Sequence, residues 1–180
     1  ARAARNDELT LRVGLAYGSS ALVSANLENN TGYGSGYRFG YYDSDLDFVE
    51  LGRTSSSVTK LTMVKAQNIW VSGTSYSTSD NGGELIGRYH VQMPGSYNSY
   101  NAAYSEASDY SDGFVAWIDG AYQVRVGAYE TKAETESRAS SLGGTVVGTS
   151  SYAVNVTQTG KAKILFQFDG GSSTALGIMP

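Results

Sequence analysis

Apolar residues recur at every second position along much of this chain, and that period restricts what it can fold into. Leu9, Leu11, Val13 and Leu15 alternate with Thr10, Arg12 and Gly14, a pattern that turns one face of an extended segment to a core and the other to water. The same signal predicts strands over 22–28, 37–42, 48–51, 58–64 and 68–71. Turn-forming clusters separate them, such as Asn29-Asn30-Thr31-Gly32, and the strands flanking Asp43-Ser44-Asp45-Leu46-Asp47 read as a hairpin. A polar run over 73–83 closes the series. Composition agrees, since 22 Gly, two Pro and only 17% charged residues weight the chain toward turns and short strands. With 180 residues, 41% of them hydrophobic, it is long enough to bury a core in one or two small domains. Residues 1–8 have no periodicity and are expected to form a disordered tail.

From Arg88 the pattern changes. Tyr89, Val91 and Met93 alternate as a strand, and after Pro94-Gly95 the residues Tyr100, Ala103, Tyr104 and Ala107 fall at i, i+3, i+4, i+7, one face of a helix. A strand over 114–118 follows, then Asp119-Gly120, a strong two-residue hairpin signal, then alternation at Tyr122, Val124 and Val126. Thr131 with Glu134 three residues later has the form of a capping box, and Gly143-Gly144 supplies a stop. Val146 and Val147 open another strand, so residues 87–154 spell β-α-β-β-α-β. The two halves repeat: Tyr89-His90-Val91-Gln92-Met93 aligns with Tyr122-Gln123-Val124-Arg125-Val126, and Gly95-Ser96-Tyr97 falls on Gly127-Ala128-Tyr129 after a one-residue slip. Strands over 153–157, 163–168 and 176–179 return to the texture of the beginning. The expected fold class is therefore α+β, a ferredoxin-like β-α-β-β-α-β domain (87–154) inserted in a mainly antiparallel β domain built from residues 9–86 and 155–180.

Chemistry is constrained by what is missing. The absence of Cys removes disulfides and thiolate sites, and one histidine, His90, leaves little for zinc or a nucleophile–imidazole pair. No metal and no cofactor is expected. A net charge of −4 with 13 Lys and Arg disfavours nucleic acid. Gly36-Tyr37-Arg38-Phe39-Gly40-Tyr41 has the look of an RNA-binding aromatic strand but lies outside the β-α-β-β-α-β segment. Asp43, Asp45 and Asp47 echo a calcium loop, yet Phe48 and Thr54 stand where such a loop needs Gly and Glu. Glu50, Glu106, Glu130, Glu134 and Glu136 include no pair singled out by spacing for glycosidase work. No apolar run is long enough to span a membrane, and Ala1-Arg2-Ala3-Ala4 is the kind of segment a secretory cleavage leaves, so the expected location is extracytoplasmic, secreted or cell-wall associated.

The duplicated segment, with Tyr89-x-Val91-Gln92 and Gly95-Ser96-Tyr97 in one half and Gly120-x-Tyr122-x-Val124-Arg125-Val126-Gly127-x-Tyr129 in the other, resembles the SPOR (sporulation-related repeat) domain over residues 87–154. Residues 11–21, from Leu11-Arg12-Val13-Gly14 to Ser20-Ala21, look like the start of the region that precedes the catalytic domain in SpoIID/LytB-type cell-wall proteins. These resemblances imply a non-catalytic, peptidoglycan-binding part of a sporulation or cell-wall-remodelling protein, whose lytic or amidase-enhancer domain lies C-terminal to this chain. They imply denuded glycan strands as the ligand, held on the open face of the SPOR sheet, and a cell-wall hydrolase as a possible partner. The alternative is a scaffold that positions or activates an amidase or lytic enzyme without glycan affinity of its own.

Alternation places Val91, Tyr122, Val124 and Val126 toward the helices and His90, Gln92, Ala121, Gln123 and Arg125 on the opposite face. By the resemblance, Gln92 and Ser96 match glycan-contacting positions, and Gln123 stands where many members carry a polar or basic side chain. Arg125 would meet a sugar carboxylate or pair with Glu130, and His90 would donate to a sugar hydroxyl or be solvated. The expected glycan site is thus His90, Gln92, Ser96, Gln123 and Arg125. Two departures are plain: Pro94 adds a residue before Gly95, and Ala121 removes an aromatic platform. Trp70, Trp117, Tyr100 and Tyr104 are expected to be core.

Overall fold

A computed structural model describes residues 22–29 and 35–180. The strand expected over 9–15, the tail 1–8 and the segment 11–21 lie outside the described residues. The main structure is one eight-stranded mixed sheet in the order β1-β4-β12-β13-β9-β10-β8-β11. Its strands are β1 (Ser24–Glu28), β4 (Lys60–Lys65), β8 (Tyr89–Gln92), β9 (Gly113–Ile118), β10 (Ala121–Tyr129), β11 (Thr145–Gly148), β12 (Val154–Gln158) and β13 (Ile164–Asp169). Two three-stranded sheets pack on it: β14-β2-β3, made of β14 (Gly177–Met179), β2 (Arg38–Tyr42) and β3 (Phe48–Arg53), and β6-β5-β7, made of β6 (Ser75–Ser77), β5 (Ile69–Ser72) and β7 (Glu84–Ile86). The helices are α1 (Tyr100–Ala107) and α2 (Lys132–Leu142).

Many local signals act as their chemistry requires. Ser99 caps α1, its hydroxyl accepting from the Ala102 N–H. Thr131 and Glu134 form the reciprocal capping box of α2, and Gly143 closes that helix. Asp119 and Gly120 both have positive φ, 47° and 87°, so the β9–β10 connection is the tight hairpin that twisted strands favour. The hairpin around 43–47 forms too. Asp43 Oδ1 accepts from the N–H groups of Asp45 and Asp47 at 3.0 and 2.9 Å, which makes its carboxylate a turn former. The run 73–83, read as purely polar, contains β6, held by its ladder to β5 rather than by any pattern of its own.

The α+β expectation is overturned. The described residues are mostly β, 47% strand against 12% helix, and among them there is no small ferredoxin-like α+β domain. The order β8-α1-β9-β10-α2-β11 is present, but its four strands are half of a larger sheet. β9 pairs in parallel with β13, Val115 opposite Phe166 and Trp117 opposite Phe168, so the edge that a separate domain would leave to water continues into β12, β4 and β1. The reason lies in Phe166 and Phe168, both fully buried, which extend the apolar row of Val91, Val115, Val124 and Val126 across the join. On that face sit Ala103 and Ala107 of α1, Ala139 of α2, and Phe39 and Leu51 of the β14-β2-β3 sheet. Phe39 stacks on Phe166 at 5.2 Å, and Trp117 lies against Phe168 and Tyr41.

The other face curls inward. From Gly148 at the end of β11 to Val154 at the start of β12 the chain can reach at most about 21 Å. The sheet order separates those strands by five steps, about 24 Å if the sheet were flat. Curvature closes the difference. The Thr149 hydroxyl donates to Ala66 O at the end of β4, Ala66 N–H donates to Ala153 O at 3.0 Å, and Thr149 N–H donates to Arg88 O at 3.1 Å. The enclosed face holds Val64, Phe114, Ala116 and Ile164, covered by Ile69 and Val71 of β5 and Ile86 of β7.

Gly87 carries the chain from β7 into β8. A Cβ there would lie 2.0 Å from both the carbonyl carbon and oxygen of Tyr129, contacts that only backbone movement relieves. Gly87→Ala is expected to cost roughly 2–3 kcal/mol and lower the melting temperature by roughly 5–10 °C, read by calorimetry. Residues 87–154 made alone would leave the β9 edge unpaired and would strip Phe114 and Ala116 of their cover by Ile69, Val71 and Ile86. That fragment is expected to show no cooperative melting transition by circular dichroism, whereas the 180-residue chain melts cooperatively.

Candidate functional site

Two places concentrate polar chemistry. The first is the enclosed face of the main sheet, where four of the expected glycan-site residues stand. His90, Gln92, Gln123 and Arg125 do share that face, but it is not open: His90 is 0% and Arg125 6% exposed, and Gln92 and Gln123 are half-buried. Arg125 donates through Nε and Nη2 to Gln92 Oε1 at 3.2 and 3.0 Å and through Nη1 to Gln167 Oε1. Gln167 Nε2 donates to Asn155 Oδ1 at 2.7 Å and lies 3.1 Å from His90 Nε2. His90 Nδ1 is 2.7 Å from Gly127 O. A carbonyl only accepts, so Nδ1 carries the proton and Nε2 accepts from Gln167.

The network makes electrostatic sense without an ion pair. Burial pushes the His90 imidazole down to about 4, helped by the positive charge of Arg125 and opposed by the Gly127 carbonyl, so the ring is neutral at pH 7. Burial also lowers Arg125, to about 10, against the pull of Asp169, and the guanidinium keeps its charge. Two carboxamide oxygens take its donors in place of a carboxylate. Expected pairing of Arg125 with Glu130 is not what the structure has, and His90 reaches protein groups instead of solvent. Asn155 Nδ2, Thr157 Oγ1 and Gln123 Oε1 are buried without a hydrogen bond. Gly127, at φ 73°, makes the irregularity in the β10–β8 ladder that presents its carbonyl to His90, a conformation an L side chain rarely adopts.

The second place is a groove along α1. A hollow of about 530 Å³ between β3 and the start of α1 is lined by Glu50, Arg53, Asn98, Ser99, Tyr100, Asn101 and Tyr122 among others. It shares Arg53, Tyr100 and Asn101 with a second hollow of about 340 Å³. The second shares Tyr104 and Leu165 with a third of about 300 Å³, and the third shares Ser111, Phe114, Lys163 and Ile164 with a fourth of about 340 Å³. Linked through these shared residues, the four make a series of hollows from β3 past α1 to the 162–165 segment, the last of them reaching Phe114 and Ile164 of the enclosed face. Tyr104, expected to be core, stands in the middle of the series 55% exposed, because the buried stripe of α1 is Ala103 and Ala107. Its ring stacks on Tyr100 at 5.6 Å and 23°, and burial raises the Tyr100 phenol to about 12. At one end Glu50 is held by Arg53, Nη2 to Oε1 at 2.6 Å and Nε to Oε1 at 2.8 Å.

Of the expected site residues only Ser96 is exposed, on the loop two residues before Asn98 and so beside the groove rather than with the other four. The groove residues were not legible as a set, since they come from β3, α1, the 108–113 turn and β13. The aspartates 43, 45 and 47 gather no ligand set: among the described residues no three His, Asp or Glu side chains converge as metal ligands. No helix among them is long and apolar enough to cross a membrane.

The histidine gives a pH test. Its unfolded value is near 6.5 and its folded value near 4, so above pH 6.5 its contribution to stability is complete. As pH falls toward 4 the unfolded chain takes the proton first and stability is lost, by roughly 3 kcal/mol at pH 4. Urea unfolding at pH 7, 5 and 4 should show this loss in the natural chain beyond that of a His90→Gln variant; equal losses in the two would contradict it.

The chain matches no family model, no curated protein and no solved structure.

Proposed function

We propose that this chain is a non-catalytic binding module for a linear glycan, and that the strand lies in the groove along α1 rather than across the face of the sheet. The observation that carries the reading is Tyr104: an exposed phenol ring, backed by Tyr100, in the middle of a series of linked hollows. A flat aromatic surface with a polar tip suits a sugar ring, whose faces are apolar and whose edge carries hydroxyls. Asn98, Asn101, Ser108 and Ser111 along the walls supply donors and acceptors. Four linked hollows favour a polymer over a compact ligand. Binding rather than cleavage is supported by the carboxylates, since Glu50 and Asp112 line opposite end hollows and do not flank one bond.

The polymer proposed is the glycan of peptidoglycan, which the resemblance of the 89–129 segment names and which an extracytoplasmic location would supply. The test is sedimentation with purified sacculi, with and without amidase removal of the peptides. Tyr104→Ala is expected to weaken binding about tenfold while changing stability by no more than about 0.5 kcal/mol. Tyr152→Ala, which removes an equally exposed tyrosine (56%) outside the groove, should bind as the natural chain does. No sedimentation with either form of the wall would sink the glycan reading and favour the scaffold alternative, with a cell-wall hydrolase as the partner to test.

A further inference from the structure

The groove is not electrically uniform along its length. At the β3 end its cation, Arg53, is consumed by Glu50. At the other end Lys163 lines both the third and the fourth hollows and, among the described residues, makes no ion pair and no hydrogen bond. The acid that shares the fourth hollow, Asp112, is engaged elsewhere, its Oδ1 3.6 Å from Arg138 Nη2. The walls around Lys163 are mixed, with Leu85, Phe114, Ala128 and Ile164 beside Ser108, Ser111 and Asp112, and Lys163 itself is exposed. An exposed ammonium is screened by water and salt, so a ligand anion placed there gains a modest, salt-sensitive preference. The protein carries a net charge of −4, which repels polyanions in general and makes one unpaired cation inside the groove a local exception.

We propose that Lys163 is a specificity-determining residue that reads an acidic, carboxylate-bearing sugar of the bound strand. The inference rests on the groove being the glycan site and names the chemistry of the sugar at its β13 end. Tyr104 supplies a stacking surface indifferent to charge, and Lys163, one hollow further on, distinguishes acidic from neutral strands. The occupant chosen is a carboxylate, the singly charged group that the proposed glycan carries on its sugar rings, facing the one flexible ammonium of Lys163.

The experiment compares two linear probes of similar length by calorimetric titration: a neutral N-acetylglucosamine oligomer and a hyaluronan oligomer, in which uronic acid alternates with the same sugar. The natural chain should bind the acidic probe about fivefold more tightly at low salt, with the preference shrinking as salt rises. Lys163→Met and Lys163→Gln should both abolish the preference without weakening the neutral probe. Lys161→Met, which changes a lysine two residues away that lines none of the four hollows, should keep it. Equal affinity of the natural chain for the two probes would overturn the role of Lys163 and leave the groove reading standing. Failure of both probes and of sacculi to bind would remove the groove reading itself.

Discussion

Arg125 places a full positive charge inside a curled sheet, and the way that charge is satisfied ties the rest of the structure together. Bringing a guanidinium out of water costs several kcal/mol unless its donors are met. Here the partners are two neutral carboxamides, Gln92 and Gln167, with no carboxylate in hydrogen-bond range. Gln167 is the hub: its oxygen accepts from Arg125 and its amino group serves His90 and Asn155. The members come from β8, β10, β13 and β12, so one set of hydrogen bonds spans four strands and crosses the parallel join. A slip of one residue in any of them would turn that member to the opposite face and leave the others unpaired. The network therefore fixes register where apolar packing alone would tolerate alternatives, and it does so with His90 held neutral.

The two faces of the sheet divide the labour of the molecule. The inner face is closed by β5 and β7 and by the 149–153 connection, and there Arg125, Gln92, Gln167, His90 and Asn155 bond to one another. The outer face is covered by α1, α2 and the β14-β2-β3 sheet, and the seams between these covers reach solvent. The groove starts in one such seam, beside β3 and α1, and runs past it to Phe114 and Ile164 of the inner face. Its position follows from packing: α1 buries only two alanines, so its larger side chains, Tyr100 and Tyr104, remain along the rim between the helix and β3. A helix with a bulkier buried stripe would sit further from the sheet and would turn its tyrosines elsewhere.

Local structure was legible wherever one residue type has a strong local preference. The period of two found most strands, and the Thr131–Glu134 box and Asp119-Gly120 each dictated a cap or a turn. Alternation also sorted His90, Gln92, Gln123 and Arg125 onto one face. It could not reveal whether that face was covered, because the cover is supplied by Ile69, Val71 and Ile86, residues remote in sequence, through a small sheet one of whose three strands hides in a polar stretch. The β9–β13 pairing was invisible for the same reason: it joins segments about fifty residues apart, and nothing within either one announces a parallel neighbour. Tyr104 was misplaced because it shares the helical spacing of Tyr100, Ala103 and Ala107, of which only the two alanines are buried.

The parallel join also orders events in time. β8, β10 and β9 have their mutual partners within some forty residues, so this half of the sheet is able to assemble as soon as that stretch of chain is available. Its β9 edge, however, stays open until Asp169, the last residue of β13, has been made. During synthesis the half-built sheet must carry an exposed backbone edge across that interval, the condition under which sheets find the wrong neighbour. A protein built this way depends on the speed with which β13 follows β10, and slow emergence of residues 155–169 would be paid for in aggregated chains rather than in altered folds.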